Sequence, residues 1–360
     1  MRVEKLRLIL KERIMKKRFF IYLVTSLSLL LVGMATVSNA QDKAGTSAAP
    51  ELLIPVGARN VALSGASISS ASGLDAIFWN PAGLDAADYS SSAMFSHRSY
   101  IADIGINSFA AATRLSGFGS VALTLRSFVI GNINVTTEDN PDGNGQIINP
   151  TFFVLGLTYS KKLTDRIGIG VTFNVVNEAF GSVSASGMTI DAGVQYQNFA
   201  NLKGLSLGVS VKNIGTSMQF GGSGLWVQAT DPNLQRGVTY YKVEAASSQM
   251  PTVIDLGLGY TTSLTENIDL SLNGAYENNT YGIDQYRFGV EVSLIKGFFV
   301  RGGYLYSKNQ TGTTSIFQNY TLGLGVNLAE LTGIGISLDY AYVPVQYFSA
   351  NNLFDIRLDF

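Results

Sequence analysis

The chain has 360 residues, 46% of them hydrophobic, with 25 basic against 26 acidic side chains, one histidine and no cysteine. The near balance of charge argues against a nucleic-acid partner, which would call for a basic excess, and the absence of cysteine leaves neither a disulfide nor a thiol for lipid attachment. With His97 as the single histidine, a histidine-based triad or a multi-histidine metal site cannot be built.

At the amino terminus, Lys16-Lys17-Arg18 precede an apolar run from Phe19 to about Val37, and Ser38-Asn39-Ala40 then presents small residues before Gln41. That order is a secretory signal peptide over residues 1–40. A retained anchor is the alternative, since the run approaches the roughly 20 residues that span a bilayer. A start at Met15 gives the better-proportioned signal. Removing residues 1–40 takes eight basic and two acidic groups with it, leaving a net charge of −7.

Residues 41–88 follow, with the stretch GARNVALSGASISSASGLDAIFWNPAGLDAAD from Gly57 to Asp88 rich in alanine, serine and glycine. It is too polar and broken to span lipid, and a helical stretch is expected around Gly73 to Ile77. Within FWNPAGL, at residues 78–84, Asn80 is biased out of the helical region by Pro81. Pro81 fixes its own φ for a turn or helix start, and Gly83 permits close backbone approach. Phe78, Trp79 and Leu84 require burial, and a surface turn would not give it.

From residue 89 the pattern has period two. In Ile167 to Val175 (IGIGVTFNV) the odd positions are apolar and the even ones are glycine, hydroxyl or amide, as in a strand with unlike faces. Such runs fall at 89–97, 106–115, 119–128, 151–160, 167–177, 187–197, 204–213, 252–262, 267–277, 285–294, 297–307, 318–328, 334–343 and 352–360, fourteen in all. Short connections such as SGFG, KLTDR and AELTG alternate with longer ones at 129–150, 215–251 and 308–317. The expected fold is therefore all-β: a 14-stranded antiparallel transmembrane outer-membrane β-barrel over residues 89–360, with residues 41–88 as an amino-terminal plug inside it. Both termini are expected on the short-turn, periplasmic rim.

Leu123, Leu125, Ile190, Val194, Leu256, Leu258, Leu270, Leu272, Phe288 and Val290 share the apolar parity; Arg126, Asp191, Asp255, Asp269, Arg287, Glu291, Arg301 and Asp339 share the other. An Arg or Lys on the lipid face at the midplane costs about 2–4 kcal/mol, so the charged parity is assigned to the lumen. A soluble sandwich gives the same alternation. Tyrosines near strand ends, one-sided loop lengths and the terminal aromatic strand ending in Phe360 favour the membrane.

On these residues the chain resembles the PorV/PorQ family of outer-membrane proteins, within the FadL-like barrel superfamily. The matching positions are Gly57, Ala58, Arg59, Gly65, Ala66, Trp79, Asn80, Pro81, Ala82, Gly83 and Leu84, supported by KAGTSAAPELL before them and ASGM at Ala185 to Met188. NVAL at 60–63 and SSA at 69–71 depart from the methionine- and acidic-rich versions of the signature. The resemblance implies a plug motif of Gly57, Arg59, Gly65, Trp79, Asn80, Pro81, Ala82 and Gly83. It implies one of two activities: gripping the carboxy-terminal domains of type IX secretion cargo with extracellular loops, or passing long-chain fatty acids or other hydrophobic compounds.

The polar lumen parity tilts the reading to protein binding by loops 129–150 and 215–251, with Phe220, Trp226, Tyr240 and Tyr241 as candidate partner-binding side chains. Outer-membrane lipid is the surrounding partner. No catalytic residue, cofactor or metal is expected: TTEDNPDGNG at 136–145 lacks the ordered ligands of an EF-hand, and glycine runs such as Gly323 to Gly325 open no helix that would cradle a phosphate.

Overall fold

The computed structural model describes residues 45–229, 238–295, 297–307, 317–329 and 335–360. The proposed signal segment lies outside them. Fourteen strands of 8 to 15 residues build one antiparallel wall among the described residues. They are β1 (Ser91–Ser99), β2 (Gly105–Leu115), β3 (Gly119–Val129), β4 (Thr151–Lys162), β5 (Ile167–Phe180), β6 (Val183–Gln197) and β7 (Leu205–Gly215) in the first half. The second half holds β8 (Val253–Thr265), β9 (Ile268–Asn279), β10 (Gln285–Leu294), β11 (Phe298–Ser307), β12 (Tyr320–Asn327), β13 (Ile336–Val343) and β14 (Asn351–Asp359).

Each strand pairs with its neighbours in sequence, and β14 pairs back onto β1, Phe95 facing Ile356. The wall is a closed barrel, so no backbone edge is left to lipid. All fourteen strands lie where the alternation predicts them. One connection differs from expectation. β5 and β6 run on to Phe180 and Val183 and meet in a tight turn at 181–182, with Gly181 at φ +59°. That turn sits on the rim of the long connections, so loop length does not alternate strictly.

The alternation separates the two faces as expected. Leu123 is 65% exposed and Phe288 48% on the outer surface, whereas Asp255, Glu291 and Arg301 are buried inside. Asp269 keeps the inward parity but lies at the short-turn rim and is exposed. Among the described residues no helix is long and apolar enough to cross a membrane; the crossings are strands.

Residues 50–86 lie within the barrel as short turns joined by irregular backbone. They comprise a 3₁₀ turn at Pro50–Leu53, the helix α1 at Ala58–Ala62, a 3₁₀ turn at Gly73–Ala76 and another at Pro81–Ala86. The helical stretch expected around Gly73 to Ile77 is a single 3₁₀ turn, opened by Gly73 at φ +64°. α1 packs on β11 to β14, while Pro81–Ala86 packs on the opposite wall, β3 to β6.

Phe360 and the start of β1 meet at the short-turn rim, where Ser90 N donates to Phe360 O at 2.9 Å. The beginning of the described chain is elsewhere. Ala48 N donates to Gln249 O at 2.9 Å, in the long β7–β8 connection. Residue 48 thus lies at the long-loop rim, while the amino terminus, expected on the short-turn rim, lies outside the described residues. Strand count fixes where β1 begins; it says nothing of a segment folded back through the lumen.

Candidate functional site

Two regions carry the candidate residues: the inner segment and the long β7–β8 connection.

The inner segment is seated on glycines. A Cβ on Gly170 would lie 2.3 Å from the Pro81 carbonyl carbon, and one on Gly208 would lie 2.5 Å from Ile68 O. These are the even-position glycines of β5 and β7, on the lumen side. They leave hollows into which backbone of the inner segment fits. Gly193 does the same for Asn80, whose Oδ1 a Cβ there would meet at 2.0 Å.

Asn80 is fully buried and caps the turn that Pro81 starts. Its backbone is extended (φ −149°, ψ 102°), and its Oδ1 accepts from Ala82 N at 3.2 Å. Its Nδ2 lies within hydrogen-bond reach of Ile68 O (3.0 Å), Val194 O (3.1 Å) and Val209 O (3.3 Å). One amide therefore ties the segment to itself and to β6 and β7. The register of those two strands shifts between Ile190 and Ala192, and the Asp191 carboxylate accepts from Asn213 N at 2.7 Å at that irregularity. A bulge unpairs backbone groups, and the Asp191 side chain satisfies one of them.

The other motif residues divide by role. Trp79 donates from Nε1 to Val56 O at 2.9 Å, and Gly65 (φ +74°) lies against its ring. Gly57 (φ +89°) precedes α1, whose first amide, on Ala58, donates to Asp355. Arg59 forks onto Glu291 at 2.9 and 3.1 Å, and Glu291 also accepts from Arg301 at 2.5 Å. Glu291 beside it pushes the Arg59 guanidinium above its ordinary range. Ala82 O accepts from Ser160 Oγ at 3.0 Å, and Gly83 lies so close to Ala71 that no side chain fits. Asp75 meets Arg357 at 2.7 Å; burial still pushes its carboxyl up. The motif is thus one connected packing unit, and its partners on the wall, Glu291, Arg357 and Asp355, are residues that the alternation marks only as inward.

Between this unit and the long-loop rim lies a cavity of about 390 Å³. Its lining is two-sided. Leu52, Ile54, Val56, Phe78 and Trp79 come from the inner segment, while Arg126, Asp191, Lys212, Glu277 and Arg287 come from the wall. Lys212 Nζ lies 5.5 Å from the Trp79 ring centre and Arg126 Cζ 5.8 Å from that of Phe78. The polar parity of the wall predicts only half of that lining; the apolar half comes from the inner segment.

The candidate loop aromatics do not form one patch. Trp226–Ala229 and Thr239–Lys242 pair as a separate two-stranded ribbon, with Trp226 facing Lys242, Val227 facing Tyr241 and Gln228 facing Tyr240. Trp226 (54% exposed) and Tyr240 (58%) share one face of it, and Tyr241 lies on the other. Phe220 instead packs down on a cluster that includes Met218, Met250, Val154 and Val176. His97 is a cross-strand partner of Asn107 at 2.7 Å. Among the described residues no group of three or more His, Cys, Asp or Glu side chains could hold a metal ion.

The family model described as "Type IX secretion system protein PorV" matches residues 37–241. No curated protein matches the chain in sequence. Among solved structures it is similar to the Pseudomonas putida toluene transporter TodX, at 12% identity and a TM-score of 0.52, covering 89% of this chain and 98% of that one. A TodX deltaS2S3 mutant, described as a monoaromatic hydrocarbon channel, gives a TM-score of 0.52 at 11% identity, over 84% and 99% of the two chains. At such identities the likeness bears on the fold alone. With more than half of its length matched by that model and its strands closed into a fourteen-stranded barrel, the chain belongs to the PorV family of outer-membrane proteins.

Proposed function

We propose that this barrel binds exported proteins at its long-loop rim, gripping the carboxy-terminal domains of type IX secretion cargo with the β7–β8 connection. The supporting observation is the ribbon at 226–229 and 239–242, which stands exposed on both faces with Trp226, Val227, Tyr240 and Tyr241 uncovered. An isolated two-stranded ribbon is marginal in water by itself, and exposed aromatics of this kind are what protein partners bury. In this reading the long-loop rim is extracellular, the short-turn rim is periplasmic, residues 1–40 are removed on export, and residues 41–88 act as a plug. Outer-membrane lipid covers the outer apolar band.

A second reading is passage of a hydrophobic small molecule, favoured by the apolar floor that the inner segment gives the cavity. A deletion strain separates the two. Loss of surface display of exported proteins with unchanged uptake of long-chain lipids supports cargo binding; normal secretion with impaired uptake supports passage.

A further inference from the structure

Inside the barrel, Arg59 is bonded to Glu291, Lys212 to Asp255, Arg287 to Glu277, Arg301 to Glu291 and Asp339, and Arg357 to Asp75 and Asp359. Arg98 on β1 and Arg126 on β3 have no such bond among the described residues. Arg98 is 5% exposed; its Nη1 donates to Pro55 O at 2.8 Å, and its Nε is buried without a hydrogen-bond partner. Arg126 rests over the Phe78 ring, and Asp191 and Glu51 act on it through space only. A guanidinium shut inside the barrel without a carboxylate is a cost the fold does not recover by itself. Both arginines line the cavity below the long-loop rim, and Arg98, level with Phe128 across Ile106, lies two residues nearer that rim than Arg126.

The rest of the lining indicates what kind of molecule would carry the anion. Leu52, Ile54, Val56 and Phe317 offer apolar surface, and Asn279, Gln285 and Gln318 add side-chain amides. Among the described residues Gln318 makes no side-chain hydrogen bond, Asn279 uses only its oxygen, accepting from Tyr281 N at 3.0 Å, and Gln285 only its oxygen, accepting from Arg287 at 2.9 and 3.2 Å. An alkyl chain leaves such amides unpaired. An extended peptide uses them, since its backbone needs donors and acceptors together.

We propose that Arg98 and Arg126 hold the free carboxylate at the carboxy-terminal end of an exported protein, whose last residues enter the cavity extended, with side chains on the apolar surface and backbone on the amides. Arginine forks onto a carboxylate through two parallel N–H donors, so the terminal group is read by geometry as well as by charge. Resting on the reading that the long-loop rim grips exported protein, this site adds a second point of hold: the ribbon takes the domain and the cavity takes its end.

The sorting domain of an exported protein from the same cell is titrated against the full barrel in detergent in two forms, one with its terminal carboxylate and one amidated. The wild type should bind the carboxylate form about tenfold or more tightly than the amide. Arg98→Gln and Arg126→Gln should each narrow that ratio by weakening the carboxylate form and not the amide. Heat-modifiable migration establishes that each variant has folded, and a merely structural role for the arginines would weaken both forms alike. Equal affinity of the two forms for the wild type, or variants that leave the ratio unchanged, would overturn the terminal-carboxylate site while the cargo reading stands; failure of the wild type to bind either form would overturn both. Oleate bound through Arg98 and Arg126, with the domain indifferent to them, would give the site to hydrophobic passage instead.

Discussion

The Nδ2 of Asn80 lies 3.1 Å from the Val194 carbonyl, so a side chain of the inner segment bonds directly to the backbone of the barrel wall. The wall can come that close because position 193 is glycine. Sequence, seat and bond are one arrangement.

Replacing Asn80 by Ala leaves the Ala82 amide and several carbonyls of the segment and wall without their partner. Each buried orphan costs about 1–3 kcal/mol. The inner segment should loosen while the barrel persists: amide exchange at residues 73–86 rises, and heat-modifiable migration stays. Asn80→Asp should be worse, since a carboxylate can only accept where three carbonyls await a donor.

The glycine seats predict a position-specific effect of a single methyl group. Gly170→Ala places a Cβ against the Pro81 backbone, whereas Gly302→Ala, on the outer face, meets only Leu322 Cδ2 at 3.9 Å. Overpacking of this kind costs about 1–3 kcal/mol. Thermal unfolding in detergent should show a drop for Gly170→Ala and none for Gly302→Ala.

Arg301 bonds to both Glu291 and Asp339 at 2.5 Å and is 2% exposed at its side chain, while Arg59 bonds to Glu291 alone at 2.9 Å. Removing one partner of a buried pair costs about 3–5 kcal/mol. Arg301→Ala strands Asp339 and takes one of two partners from Glu291, so it should lower the unfolding midpoint below that of Arg59→Ala, which leaves both carboxylates paired with Arg301.

The two faces of a strand should respond oppositely to charge. Leu123→Arg puts a cation on the lipid face at a cost of about 2–4 kcal/mol, whereas Thr124→Arg points into the cavity that Thr124 lines. The folded fraction in lipid vesicles should fall far more for Leu123→Arg. At the chain end, changing exposed Phe360 to a charged residue should reduce assembled barrel more than changing Asp359.

Much of this was legible in the residues. Period two in runs such as IGIGVTFNV places every strand, because lipid outside and polar space inside sort side chains at each step. Asn80-Pro81 marks its turn because proline constrains both residues. The same glycines also read simply as strand glycines; that they are seats depends on which backbone comes opposite, which no local pattern carries. The turn at 181–182 hid in AFGSVSASG, where polar small residues read as connection. The ribbon at 226–229 and 239–242 is too short for its alternation to stand out.

The central claim, that the long-loop rim grips exported protein, is tested most directly by photo-crosslinking in the native cell. A crosslinking residue at Tyr240, on the exposed ribbon, is compared with one at Tyr159, near the short-turn rim. The account predicts adducts between position 240 and exported proteins bearing the sorting domain, and none from position 159. Absence of such adducts at position 240, or equal yields at both positions, would contradict it.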